Sequence, residues 1–425
     1  MRRQEMLLYR GAEHQELIDY MEELMEGDGT HLYEAINGLV EMTACHGFEG
    51  NVWHNFLAYT LANHENAFST ACEVRGRVEG SINRLALHDF RLFLEWFRFD
   101  LSSLDETFGT EEFAVLAQYK GAGEANRVYN RRVHDRILDL AVRLAAAEDE
   151  EAFLDCVTEF YRDFGVGKFG LHKAFKVEHE EGKPVQILPI TRTEHVTLDD
   201  LVGYEIQKKK LIENTEAFVQ GRKANNCLLF GDAGTGKSSS IKAIMNTYYD
   251  QGLRLIEVYK YQFQDLTSVI TQIKNRNYKF IIYMDDLSFE EFEIEYKYLK
   301  AIIEGGMERR PENVLIYATS NRRHLIREKF SDKREADDDL HSSDTVQEKL
   351  SLAARFGVTI YYGMPEKKEF QNIVLTLAER NGIRMGEKEL LEEANKWELY
   401  HGGMSGRTAT QFITYLLGKT ENPQK

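Results

Sequence analysis

The residues best suited to chemistry lie in the second half of the chain. Gly231-Asp-Ala-Gly-Thr-Gly-Lys-Ser238 fits the pattern G-x-x-x-x-G-K-[ST] at every fixed position. An apolar run at 227–230 precedes it, and the pattern predicts a helix over 239–247. That strand–loop–helix order is what a phosphate loop requires. Its glycines let backbone N–H groups converge on a β-phosphate at a helix N-terminus, whose dipole favours anions. In such a loop Gly231, Asp232, Ala233, Gly234, Thr235, Gly236, Lys237, Ser238 and Ser239 surround the nucleotide. Lys237 would neutralise β/γ charge and the Ser238 hydroxyl would ligate Mg2+.

A phosphate loop also needs a carboxylate on a neighbouring strand. The run Phe280-Ile-Ile-Tyr-Met-Asp285-Asp286 ends an apolar strand in two acids. Asp285 is placed to reach the magnesium, directly or through water, and Asp286 to polarise the attacking water as general base.

These groups need a scaffold, and its pattern is readable. After residue 196, apolar runs at 227–230, 253–259, 279–284, 314–318 and 358–362 alternate with amphipathic stretches. Such alternation predicts βαβ units: a three-layer α/β core around a parallel five-stranded sheet, covered on both faces. Beyond Pro365 the strands stop. Residues 366–378, 387–397 and 405–417 read as helices, a small C-terminal lid.

The first half differs. All five prolines lie at or after Pro184, and proline costs about 3 kcal/mol inside a helix. Residues 14–25, 128–147 and 151–164 carry apolar side chains at helical spacing. Together these predict an all-α domain of six to eight helices over 1–182. A proline-bearing extended linker follows at 183–195, then the core at 196–364 and the lid at 365–425. No repeat of fixed period is visible.

Charge divides at the same place. Of a net −17 over 425 residues, residues 1–195 hold 20 Lys and Arg against 35 Asp and Glu, or −15. So anionic a half repels phosphate backbones and argues against nucleic-acid binding. No apolar run approaches the ~18 residues of a membrane span, and the N-terminus has no secretory pattern. Cys45, Cys72, Cys156 and Cys227 are scattered without CxxC spacing. A reducing, cytoplasmic setting is expected rather than a disulfide or zinc framework.

In order over about 196–415, these motifs resemble the AAA+ ATPases. Leu198-Asp-Asp-Leu-Val-Gly203-Tyr-Glu is similar to the segment that lines the adenine pocket, here through Val202, Gly203 and Tyr204. Tyr317-Ala-Thr-Ser-Asn321 resembles sensor 1, which implies that Asn321 holds the attacking water. Leu352-Ala-Ala-Arg355 looks like the arginine-finger position, with Arg322 and Arg323 as alternatives. Gly402-Gly-Met-Ser-Gly-Arg407 resembles sensor 2, an arginine that reaches the γ-phosphate as the lid closes. Asp286 stands where that family more often has glutamate, one methylene longer. More narrowly, residues 164–175 and 405–412 resemble an uncharacterised bacterial family of predicted ATP-binding proteins with a helical N-terminal half.

Other signals are weaker. Gly165-Val-Gly-Lys-Phe-Gly170 satisfies G-x-G-x-x-G, but a helix rather than a strand precedes it, so it reads as an inter-helix turn. Asp337-Asp-Asp-Leu-His-Ser-Ser-Asp344 reads as an exposed acidic loop. The 13 histidines show no ligand spacing, and no protein-only metal site is expected.

Three functions remain open. One is an ATPase, assembled as a homo-oligomer, whose subunit-interface sites drive remodelling of a protein partner held by the helical half. Threading has only partial support, since Tyr259-Lys-Tyr261-Gln-Phe263-Gln has aromatics but no glycine. Another is a nucleotide-dependent switch with little turnover. The third, a DNA loader or initiator, has the acidic half against it and no basic stripe in the core.

Overall fold

A computed structural model describes residues 3–77, 79–121, 131–289, 294–304, 311–321 and 352–419. The chain divides into two compact units, Met1–His172 with Pro189–Arg192, and Lys173–Leu188 with Thr193–Lys425.

The first unit is helical. Its described residues form ten α-helices between Gln15–Met25 and Gly167–Leu171, more than the six to eight expected. The surplus consists of short helices, among them Ser103–Phe108, Glu112–Ala117 and Gly167–Leu171, too brief for an apolar period to register. Where helices are long, periodicity and burial agree. Gln15–Met25 buries Leu17, Ile18, Met21 and Leu24, while Arg131–Ala145 buries Val133, Ile137, Leu140 and Leu144. Glu150–Phe164 starts where the Asp149 carboxylate accepts from the Ala152 N–H, a side-chain cap for an orphan donor. These helices enclose one aromatic-rich core around Trp53, Phe56, Phe90, Phe93 and Phe153. The glycine-rich 165–170 segment is only partly the expected inter-helix turn: Gly165, at φ 77°, ends the helix Glu150–Phe164, Gly167 already opens the short helix Gly167–Leu171, and a Cβ on Gly170 would lie 2.8 Å from the Phe164 carbonyl.

The second unit is built on a seven-stranded sheet. In chain order its strands are β1 (Ala174–Glu178), β2 (Gln186–Pro189), β3 (Cys227–Gly231), β4 (Leu253–Glu257), β5 (Lys279–Met284), β6 (Val314–Ser320) and β7 (Val358–Tyr362). Their spatial order is β2-β1-β4-β5-β6-β3-β7. Pairs β1–β4, β4–β5, β5–β6, β3–β6 and β3–β7 are all parallel. The five expected strands are present at their expected places, and β1 and β2 extend the sheet at one edge. Two expectations are therefore corrected: 1–182 is not wholly helical, and 183–195 is not only a linker. β1 alternates in burial, with Lys176 and Glu178 outward, but a strand of only five residues gains its character mainly from pairing with a distant partner, here β4.

The central strands are mostly apolar and buried. Every residue of β6 is buried, as are five of the six in β5, the pattern of a parallel sheet covered on both faces. Connecting helices include Glu205–Val219, Lys237–Tyr248, Leu266–Ile273 and Glu295–Glu304. After β7, helices Lys367–Arg380, Glu387–Tyr400 and Gly406–Lys419 pack on their own apolar cluster around Phe370, Val374 and Phe412.

Candidate functional site

Register brings the chemistry together. Gly231 pairs with Tyr362, Phe230 with Ser320 and Met284 with Ala318, so β3, β5, β6 and β7 all end at one level. β3 lies between β6 and β7 while the chain leaves it for β4. Crevices beyond the carboxyl ends of strands at such a reversal are where open α/β sheets bind ligands.

The loop after β3 is shaped by glycine where no other residue would fit. Gly231 has φ 134°, and a Cβ there would come within 2.1 Å of the Tyr362 oxygen. Gly234 and Gly236 also have positive φ, 75° and 92°, accessible to glycine at little cost. Asp232 is anchored at both ends: its N–H donates to the Tyr362 oxygen at 2.9 Å, and its carboxylate accepts from the Met364 N–H at 2.8 Å. The helix Lys237–Tyr248 starts directly after the loop, aiming its free N–H groups at the crevice.

Lys237 is 7% exposed. Its ammonium donates to the carbonyls of Gly231 at 3.0 Å and Asp232 at 2.6 Å, and to Asn321 Oδ1 at 3.0 Å. Burial pushes its pKa below the ordinary lysine value, and the carboxylates of Asp232, Asp286 and Asp285 offset this only in part. Asn321 passes the contact on: its Nδ2 donates to Asp286 Oδ1 at 2.7 Å. Asp286 has φ 48°, the left-handed region that non-glycine residues adopt at a cost and that clusters at functional sites.

Beside this chain the Ser238 hydroxyl donates to Asp285 Oδ1 at 2.7 Å, and the Thr319 hydroxyl donates to the same oxygen at 2.5 Å. Burial opposes the charge on Asp285, but hydroxyl donors, Thr319 foremost and Ser238 among them, hold its pKa below the usual carboxylate value.

A cavity of about 600 Å³ opens over these groups, within the range of small-molecule sites. It is lined by Val202, Tyr204, Ala233, Gly234, Thr235, Gly236, Lys237, Ser238, Ser239, Asp285, Asp286, Asn321 and Arg407. The Arg407 N–H donates to the Gly234 oxygen at 3.1 Å, joining the C-terminal helices to the loop. Of the remaining expected residues, Gly231 and Asp232 shape the loop from behind, and Gly203 sits with φ 81° between two residues that line the cavity. Arg355, half-buried ahead of β7, does not line it. Arg322, Arg323 and the acidic run at 337–344 lie outside the described residues.

Several lining residues were given no role from the sequence: Thr319, Lys208, Ile373, Leu377, Thr410 and Gln411. Ile373 and Leu377 belong to the cluster that Val202 also joins, giving one side of the cavity an apolar wall. Lys208 donates to the Leu201 oxygen at 2.8 Å. Tyr204 stacks on Tyr362 at 5.2 Å, and its hydroxyl donates to the Gly363 oxygen at 2.9 Å. Thr319 was findable in principle, two residues before Asn321, but in an apolar β-rich run it reads as an ordinary strand former.

A family model described as "Protein of unknown function (DUF815)" matches residues 171–420. No curated protein matches the chain significantly. Among solved structures, a RuvB mutant from Thermotoga maritima is similar at 17% identity and a TM-score of 0.36, over 51% of this chain and 63% of that one. The matched region thus spans less than two thirds of that RuvB chain. A FIGL-1 AAA domain in complex with ADP is similar at 18% identity and a TM-score of 0.36, over 53% of this chain and 74% of that one. No helix among the described residues is long and apolar enough to cross a membrane.

Proposed function

The chain belongs to the DUF815 family, and on that premise we propose that its AAA+-like core binds ATP with Mg2+ and hydrolyses it to ADP and phosphate. The observation carrying this reading is the Lys237–Asn321–Asp286 chain of contacts lying against the Ser238–Asp285 pair, at the switch point of the sheet. The residues fit a triphosphate: a positive-φ glycine loop, a helix N-terminus, a buried ammonium, and an apolar wall of Val202, Ile373 and Leu377 for a base. They also fit Mg2+, since Ser238 Oγ and Asp285 Oδ1 are hard oxygen donors already adjacent. Bound there, the ion would neutralise charge on the β- and γ-oxygens.

Lys237 would exchange the Gly231 and Asp232 carbonyls for phosphate oxygens. Asp286 would accept a proton from the attacking water, which Asn321 would orient through the amide now shared with Asp286. Arg407 reaches the cavity from the C-terminal helices, which lets them act as a lid that senses the γ-phosphate. Val202, Gly203 and Tyr204 would flank the base.

We read the active form as a homo-oligomer in which Arg355, which does not line the cavity of its own chain, would stabilise the charge of a loose phosphoryl transition state in trans. The acidic helical unit would engage a protein partner, and the ATP cycle would remodel or move it.

One observation favours a second reading, a nucleotide switch with little turnover: position 286 carries aspartate, with its short carboxylate already held by Asn321. Steady-state phosphate release separates the two. The ATPase reading expects Mg2+-dependent release that Lys237→Ala and Asp286→Ala each abolish. Release unchanged by both substitutions would remove it.

A further inference from the structure

We propose that Thr319 is a positioning residue for hydrolysis, one hydroxyl that sets both acids of the site. The inference rests on the ATPase reading above and adds to it a residue to which that reading gave no role, two positions before Asn321 in the same strand-end segment. Thr319 is 1% exposed, next to last in β6. β6 pairs with β5 so that Met284 faces Ala318, which carries Thr319 alongside the acids that follow β5.

Its hydroxyl makes two contacts of opposite sense. It donates to Asp285 Oδ1 at 2.5 Å and accepts from the Asp286 N–H at 2.9 Å. Its backbone oxygen accepts from the Leu287 N–H at 2.7 Å. Three consecutive residues, 285 to 287, are therefore tied to one threonine. The tie explains how Asp286 is kept at φ 48°, since left-handed backbone at a non-glycine residue persists only where its surroundings over-determine it.

Thr319 and Ser238 also differ in what they can give up. Both donate to Asp285 Oδ1. On binding Mg2+ the Ser238 hydroxyl would turn its lone pair to the ion, and Thr319 would remain to aim the carboxylate. The strand hydroxyl thus holds Asp285 for metal binding and Asp286 for water, without touching nucleotide itself.

The test compares wild type, Thr319→Val, Thr319→Ser and Thr319→Ala in the full chain, with fluorescent ATP binding in EDTA, Mg2+ titration of that binding, and phosphate release. Hydrogen bonds to charged groups predict an effect of about tenfold to a hundredfold. Thr319→Val is expected to leave metal-free nucleotide affinity within about twofold while raising the Mg2+ needed and lowering kcat by that factor. Thr319→Ser is expected to restore both. If valine unfolds the chain, Thr319→Ala against Thr319→Ser makes the same comparison. A valine or alanine chain with wild-type Mg2+ dependence and kcat overturns the assignment, as does a serine chain as defective as they are. Wild type that binds no ATP overturns the parent reading itself, which distinguishes that failure from a failure of Thr319 alone.

Discussion

The amide of Asn321, the first residue after β6, meets the carboxylate of Asp286, the second residue after β5, at 2.7 Å. The opposite face of the same amide accepts from Lys237 at 3.0 Å. A residue of the phosphate loop is thereby connected to the proposed base through a single side chain.

Removing that link separates binding from turnover. Asn321→Ala is expected to lower phosphate release by about a hundredfold, in the range lost with one positioned hydrogen-bond partner in a site, while ATP affinity changes only a few-fold. Equal losses of affinity and turnover would place Asn321 in ground-state binding instead.

The lowered pKa of Lys237 is expected to make ATP affinity pH-dependent. Burial shifts it below the ordinary 10.5, so the free site loses its proton at a lower pH than an exposed lysine would. Bound phosphate favours the charged form, and affinity is therefore expected to fall as pH rises through that lowered value. The stability effect has the opposite sign: above the folded-state value the unfolded chain holds more protons, and this group's contribution to stability rises until the ordinary lysine value. ATP titrations across alkaline pH, with Lys237→Arg as the comparison, check the first. An affinity flat up to 10.5 would contradict it.

Gly231 should tolerate no side chain. A Cβ at 2.1 Å from the Tyr362 oxygen, on backbone at φ 134°, forces β3 and β7 apart, and Gly231→Ala is expected to cost about 2–4 kcal/mol. Gly252→Ala, with positive φ but open space around it, should cost about 1 kcal/mol. Urea unfolding of both variants gives the comparison, and similar costs would refute the steric account.

In the helical unit Asp89 is fully buried and accepts from the N–H groups of Leu7, Leu8 and Tyr9 at 2.8, 2.8 and 3.0 Å. Asp89→Ala removes the acceptor of three backbone donors, of which that of Tyr9 is buried, and a loss of about 2–4 kcal/mol is expected. Thermal unfolding should show it without any change in ATP affinity of the folded protein.

If Arg355 serves a neighbouring subunit, Arg355→Ala and Lys237→Ala chains, each inactive alone, should regain part of the activity when mixed. No recovery at any ratio would leave Arg355 acting within its own chain or not at all.

The candidate site was legible in the sequence because its residues sit in local patterns. A phosphate loop needs fixed residues at fixed spacing, and Asp285, Asp286 and Asn321 follow apolar strands long enough to recognise. All five anticipated strands occur, β5 and β7 to the residue. What escaped was determined by distant partners. β1 and β2 are short strands, β2 at the sheet edge and β1 next to it, whose pairing the local pattern does not encode. Thr319 acts through residues some 35 positions away, and Ile373 and Leu377 meet the cavity only because their helix packs beside Val202. The left-handed backbone of Asp286 has no local cue, since aspartate before leucine is compatible with many turns.

The central claim is that the loop at 231–238 grips a nucleoside triphosphate beside a magnesium ion. Isothermal titration of the folded full-length chain with ATP, with and without Mg2+, tests it most directly. Saturable binding that Mg2+ strengthens and Lys237→Ala removes is the expected result. A folded chain that takes up no ATP in either condition would contradict the account.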